Sequence, residues 1–232
     1  MLIRRMEKNV SAFLANPKRD FVRKSELSFS KTMKFILCMG SKTLGKELID
    51  FYDFDSKTVS ASAIVQRRAK ILPSAFQHLF HEFNKKFSQT NFFHGYRLYA
   101  VDGSDIHIPP IPDDHSTHYN ANVDSKGYNL IHLNTLYGLT NRRYIDAVLQ
   151  DSRNENENKA LISMIDKIDN ITIVIADRNY DSYNNIAHFE AKRLKYVIRI
   201  KSTTGIIKKF DIPLDKEVDF TTDILLTRRQ TK

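Results

Sequence analysis

The stretch ITIVIA, residues 171–176, is an unbroken run of apolar and β-branched residues that ends at Asp177 and Arg178. Such a run reads as a strand covered on both faces, which is the signature of a sheet with helical crossovers. Its flanks agree. Leu161, Met164, Ile165 and Ile168 fall at helical spacing before it, with Ser152 and Glu155 at the spacing of a capping box. After it the sequence predicts a helix over about 182–194, with Tyr183, Ile186, Ala187 and Leu194 inward, and a strand at YVIRI, 196–200. Upstream, RLYAVDGSDIHI reads as a strand, a turn at Gly103 and Ser104, and more strand. YNLIHLNTLYGLTNRRYIDAVLQ reads as a hairpin, with Ile131, Leu133, Tyr137 and Leu139 on one face and a turn at Thr140 and Asn141. The order is three strands, helix, strand, helix, strand. The first three are expected to be antiparallel, and those entered through helices parallel.

Residues 1–90 differ in character. They are rich in Lys and Arg, poor in β-branched runs, and carry prolines at 17 and 73. Apolar residues at 33, 36, 37, 44 and 48 lie roughly at helical spacing. Two short helices follow, the second started by Pro73. Ile64, Val65, Leu72, Phe76, Leu79, Phe80 and Phe83 form their expected buried stripe, while Arg67, Arg68 and Lys70 are expected at the surface. The whole is therefore an α/β mixed sheet preceded by an α-helical N-terminal region.

Charge narrows the partners. Among 232 residues, 36 Lys and Arg face 27 Asp and Glu, a formal balance of +9 that suits a polyanion such as nucleic acid. The single cysteine, Cys38, excludes an internal disulfide and a multi-cysteine zinc site. The N-terminus MLIRRMEKNV lacks the apolar core of a secretion signal, and no apolar run approaches the ~20 residues of a membrane span. A cytoplasmic location without membrane contact is expected.

Two acids stand at strand ends. Asp177 follows the apolar run, and Asp102 follows LYAV in the first strand. In open sheets with helical crossovers, ligands gather beyond the carboxyl ends of the parallel strands. If these strands are neighbours, the carboxylates converge. Facing carboxylates repel, so one takes a proton or a cation sits between them. Hard divalent cations prefer carboxylate oxygen, and two of them about 3.5–4 Å apart can drive phosphodiester cleavage. Each acid could instead be a helix cap or a turn former.

The motifs AVDGSDI and IADRNYDS, on this strand order, resemble those of the DDE transposases of bacterial insertion sequences, IS-four type. That family carries its first acid in a D-G-T or D-G-S motif and its second in a D-R-G-Y or D-R-G-F motif. Asp102 matches the first and Asp177 the second, with Asn179 in place of the usual glycine and Tyr180 as a structural part of the motif. Gln66, Arg68 and Lys70 fit the Q-x-R-x-K pattern of the family's helical region, so the resemblance covers about 55–205. It implies a ribonuclease H-like core, a Mg²⁺ or Mn²⁺ ion on Asp102 and Asp177, and double-stranded DNA, at transposon ends and target, as partner. It also implies self-association on DNA and a bacterial cytoplasm, at the nucleoid. The family's third acid lies in a Y-x2-R-x3-E-x6-K pattern that is absent here. Glu190 comes too early, and Glu217 lacks the context. The expected organisation is a basic DNA-binding region at 1–92, an incomplete catalytic core at 93–204, and the start of an inserted β region at 205–232. The chain alone is then expected not to cut DNA. A non-catalytic DNA-binding remnant and a related metal nuclease are the alternatives.

Other signals are weaker. GSKTLGKE, 40–47, approaches a phosphate loop but ends in Glu47 and follows a helical segment. His115 and His118 lie beside two acids in a Pro-rich loop expected to be solvated, and His107 reads as a strand histidine. Arg178 could contact phosphate or pair with Asp181. Lys126 is a further DNA candidate. Arg67, Arg68 and Lys70 form either a backbone-binding stripe or a solvated face.

Overall fold

The computed structural model describes residues 1–87, 90–120, 126–200 and 217–223. The chain divides into two compact units, Met1–Ser88 and Gln89–Lys232.

The first unit is helical: α1 (Leu2–Glu7), α2 (Phe29–Cys38), α3 (Leu44–Phe51), α4 (Ala61–Arg68) and α5 (Ser74–Lys86). Serines set two of the starts. Ser28 accepts from the Lys31 amide and Ser60 from the Ala63 amide, so donors otherwise orphaned at the helix ends are satisfied. Pro73 sits immediately before α5, where its lack of an N–H is harmless. Two apolar clusters hold the unit, one around Phe29, Met33 and Ala75, the other around Phe35, Leu48 and Ile64. The expected stripe is only partly inward: Val65, Leu72 and Phe83 are exposed, and Ala75 takes an inner position instead. The break between α2 and α3 contains the phosphate-loop-like stretch. There the buried Glu47 carboxylate accepts from the amides of Gly40 and Lys42, so it occupies the donors that a phosphate would need.

The second unit is a mixed sheet. Its strands are β1 (Arg97–Ile108), β2 (His118–Tyr119), β3 (Tyr128–Gly138), β4 (Arg143–Asp151), β5 (Thr172–Ala176) and β6 (Lys195–Ile198), with α6 (Glu157–Ile165) and α7 (Tyr183–Ala191) as crossovers. The path is β2-β3-β1-β5-β6, with β4 also on β3. The β1–β3 and β3–β4 pairs are antiparallel; β1–β5 and β5–β6 are parallel. Leu161, Met164 and Ile165 of α6 pack on Tyr99, Val101, Leu136 and Val174 in the core beneath the helices.

Several local expectations need correction. No turn interrupts β1: Gly103 pairs with Asn134 and Ser104 with Leu133, so the strand continues to Ile108. In β3 the deeply buried face carries His132, Asn134 and Leu136, while Ile131, Leu133 and Tyr137 are only half-buried and Leu139 is exposed. Ser152 does not cap α6. Its hydroxyl donates to the Leu130 carbonyl, and Asn156 is the cap, accepting from the Lys159 amide. In α7 the inward positions are Asn185, Ile186 and Phe189, and Ala187 is exposed. Leu194 is buried as expected, after a left-handed Arg193. The Pro-rich loop is anchored, because the buried Asn129 side chain bonds both backbone groups of Ile111 and the Thr117 hydroxyl. The inserted β region expected from 205 lies outside the described residues, apart from 217–223, which form neither helix nor strand.

Candidate active site

The parallel ladder between β1 and β5 ends at the pair Val101 and Ala176. The next residue on each strand is an acid, Asp102 on one and Asp177 on the other. β1 then runs on with β3 alone, so Asp102 lies in mid-strand where its β5 neighbour stops, not at a strand end. Both carboxylates are exposed. Each also has a local bond: Asp102 Oδ1 accepts from the Gly103 amide at 2.9 Å, and Asp177 Oδ1 from the Asn179 amide at 2.8 Å. The second bond caps the 3₁₀ turn Arg178–Tyr180, so Asn179 sustains the turn without a glycine.

A third acid approaches the same corner. Glu157 opens α6, and its position is set by polar side chains from the sheet. Gln150 Oε1 accepts from Asn134 Nδ2 at 3.1 Å and from the Asn156 amide at 3.0 Å, which ties the helix start to β3 and β4. Asn185 Nδ2 donates to Asn158 Oδ1 at 2.7 Å and to the Tyr180 carbonyl at 2.9 Å, which ties it to the turn after Asp177. A Cβ on Gly103 would stand 2.7 Å from Glu157 Oε1 and 2.6 Å from His132 Nε2. Glycine after Asp102 is therefore what lets a carboxylate and an imidazole reach the β1 backbone.

His132 joins two sets of acids. Its Nδ1 lies 2.9 Å from Asp105 Oδ1 and 3.1 Å from Glu155 Oε2, and its Nε2 lies 3.4 Å from Glu157 Oε1. Asp105, His132 and Glu155 offer one donor atom each within 4.8 Å of one another. Burial opposes the imidazolium, but the Asp105 hydrogen bond and the charges of Glu155, Asp105 and Glu157 outweigh it and raise the His132 pKa. Burial also raises the Glu157 carboxyl; His132 opposes that shift, and the charges of Asp177, Glu155 and Asp102 add to it. The Tyr180 hydroxyl is pushed up by burial first, then by Glu157, Asp102 and Asp177. Tyr180 Oη and His132 Nε2 are both buried without a hydrogen-bond partner among the described residues.

The remaining candidates are scattered. Arg178 is exposed beside Asp177, and Lys126 is exposed just before β3. A groove on the Asp102 side is lined by Thr135, Tyr137, Arg142, Arg143 and Tyr144. In the helical unit, Arg67 lies over the Phe21 ring and Arg68 is exposed; the Lys70 ammonium is 3.7 Å from the Asp20 carboxylate, so part of its charge is engaged. Arg67 and Lys70 line a groove with Lys18, Arg19 and Arg23. His118 is buried with Nδ1 on Asn129 and Nε2 on Asn120, and its ring nitrogens are thereby committed. His107 and His115 are exposed, and Glu190 accepts from Tyr196 Oη. No helix among the described residues is long and apolar enough to cross a membrane.

Sequence reasoning missed His132, Glu157, Arg142 and Arg143. The one available signal was the glycine after Asp102, since a glycine inside a strand marks a close approach.

No curated protein matches the chain. The profile of the transposase DDE domain matches residues 93–232, which is more than half of it and takes in both Asp102 and Asp177. DNA transposition is the activity this match points to, and such domains work with a divalent metal. On that match, the chain belongs to the transposase DDE domain family.

Proposed function

We propose that this chain carries the DNA-cleaving centre of a bacterial insertion-sequence transposase of the IS-four type, built on a ribonuclease H-like sheet. The observation that carries the reading is the placement of Asp102 and Asp177 directly after a hydrogen-bonded pair on adjacent parallel strands. The strand order supports the fold assignment: β4, β3 and β1 antiparallel, then β5 and β6 parallel through helical crossovers.

In this reading Asp102 and Asp177 hold Mg²⁺ or Mn²⁺. The residues suit such an ion: exposed carboxylates that directly follow the paired Val101 and Ala176, a glycine that keeps the approach open, and orphaned polar atoms at Tyr180 and His132. The ion would supply an activated water or hydroxyl and charge neutralisation at the scissile phosphate. The chain's own residues position the DNA. Arg178, beside the second acid, and Arg142 and Arg143, in the groove along Asp102, offer two-pronged phosphate contacts. Lys126, exposed before β3, is a further candidate contact, and the helical unit adds Arg67, Arg68 and Lys70 with Lys18, Arg19 and Arg23. Region 1–92 acts as the DNA-binding part, 93–204 as the catalytic core, and 205–232 as the start of an inserted β region. The partners are double-stranded DNA, at transposon ends and target, and further copies of the chain assembled on it, in the bacterial nucleoid.

Residues 1–232 contain no Y-x2-R-x3-E-x6-K motif, so on their own they are expected to cut poorly. The test is a Mn²⁺ cleavage assay on DNA carrying the element's ends. This chain is compared with one extended by a segment bearing the motif glutamate. We expect cleavage by the extended chain only, abolished there by Asp177→Asn. Equal cutting by both would refute the need for a further acid, and cutting that survives Asp177→Asn would refute the site.

A further inference from the structure

We propose that Asp105, His132 and Glu155 form a separate cation site, for a transition ion of the Zn²⁺ class, that clips β1 and β3 to the segment leading into α6. The inference stands apart from the reading of Asp102 and Asp177, and it gives the ion a nitrogen donor that an aspartate pair lacks.

Competition for one nitrogen carries it. His132 Nδ1 has Asp105 Oδ1 at 2.9 Å and Glu155 Oε2 at 3.1 Å. A ring nitrogen carries at most one proton, so it can bond one of these carboxylates well and leaves the other beside a like charge. A cation in place of that proton serves all three donors at once. Their spacing fits. The three donor atoms lie within 4.8 Å of one another, and ligands bound to zinc at about 2.0–2.2 Å stand roughly 3–3.5 Å apart. The donors also come from three places in the chain: β1, β3 and the link just before α6. Only the folded sheet brings them together.

The surroundings are those of an ion-binding imidazole. The His132 side chain, 7% exposed, is the cross-strand partner of Asp105. Its far nitrogen, Nε2, faces Glu157 Oε1 at 3.4 Å, and a carboxylate behind the ring is what orients a metal-bound histidine. Asp105 and Glu155 are exposed, so water can fill the ion's remaining positions. One nitrogen and two oxygens favour Zn²⁺ over Mg²⁺, which prefers oxygen alone. The site is distinct from the aspartate pair. Side chains alternate along β1, so Asp105 leaves it on the His132 face, whereas Asp102 pairs with Thr135 and lines the groove with Tyr137 and Tyr144. Beyond Val101, β1 keeps β3 but not β5 as its neighbour, and the clip steadies that arm of the strand.

The test is Zn²⁺ titration of the full 232-residue chain carrying Asp102→Asn and Asp177→Asn, which takes the other proposed site out. It is read by calorimetry and by thermal melting in Zn²⁺ or EDTA. We expect saturable Zn²⁺ binding with a raised melting temperature. Asp105→Asn and Glu155→Gln, both at exposed carboxylates, are each expected to weaken binding by about ten-fold or more and to remove most of that rise. Glu190→Gln, at an acid bonded to Tyr196, is the unaffected control. Glu157→Gln, behind the ring, is expected to weaken binding less than Glu155→Gln; a larger loss puts the ion on the far side of the imidazole and overturns the inference. Unchanged affinity in both Asp105→Asn and Glu155→Gln overturns it too. So does absence of Zn²⁺ binding, which leaves a protonated His132 shared between two acids. If the aspartate background fails to fold, the same variants are titrated in the native chain in excess Mg²⁺, which fills an oxygen-only site. Zn²⁺ affinity that survives both substitutions there overturns the inference.

Discussion

Gly103 decides how closely chemistry can approach the backbone of β1. An added Cβ would meet His132 Nε2 at 2.6 Å and Glu157 Oε1 at 2.7 Å. Glu157 can swing away, but His132 is buried and held at Nδ1 by Asp105, so the imidazole cannot yield without breaking a bond. Gly103→Ala is expected to cost roughly 1–3 kcal/mol, as overpacking does, measured by urea unfolding in EDTA. Wild-type stability would mean that His132 repacks freely. At this scale the adjacency of Asp102 and Asp177 was legible, because each follows a strand-like apolar stretch, although either could also have been a cap or a turn former, as Asp177 in part is. His132 and Glu157 were not. A strand's period of two predicts that apolar residues face inward, and β3 reverses the rule by burying His132 and Asn134 against polar partners from β1 and β4. Glu157 lies in the sequence NENENK, where every residue reads as solvated and the Ser152–Glu155 spacing suggests the wrong cap.

Among the elements, α6 does the most positioning. Its apolar face is anchored by Leu161, Met164 and Ile165, all fully buried, while its first turn presents Glu157. Leu161→Ala is expected to destabilise the sheet unit by about 2–5 kcal/mol in chemical denaturation, the range for a truncated core leucine. A change well below ~1 kcal/mol would show that the helix is only loosely seated. This helix was readable because its apolar residues recur at i, i+3 and i+4, and β5 because its length and composition admit little else. β1 was misread as two strands because glycine and serine usually break a ladder. Here the ladder with β3 persists, since Gly103 answers a close approach and not a turn. In α7 the expectation placed Ala187 inward, but the helix rotates Asn185 and Phe189 to the core, where Asn185 has its bonds to Asn158 and Tyr180 to satisfy.

For the molecule as a whole, the balance of +9 bears on DNA affinity through released counterions. Each phosphate that the protein ceases to neutralise should flatten the plot of log K against log salt by about 0.9. Replacing Arg67 and Arg68 together by Ala is therefore expected to reduce the slope by nearly twice that, read by fluorescence anisotropy on duplex DNA at several salt concentrations. An unchanged slope would make the pair a solvated face. The parallel ladder of β1 with β5 also has a kinetic side. The β3–β4 hairpin closes through the short turn 139–142, whereas β5 pairs with β1 across the stretch of sequence that carries β2, β3, β4 and α6. Long-range closures of this kind are slow. The meeting of Asp102 and Asp177 is thus expected late in folding, and a cation that bound there, on the proposed reading, would slow the fold's undoing more than it would speed its making.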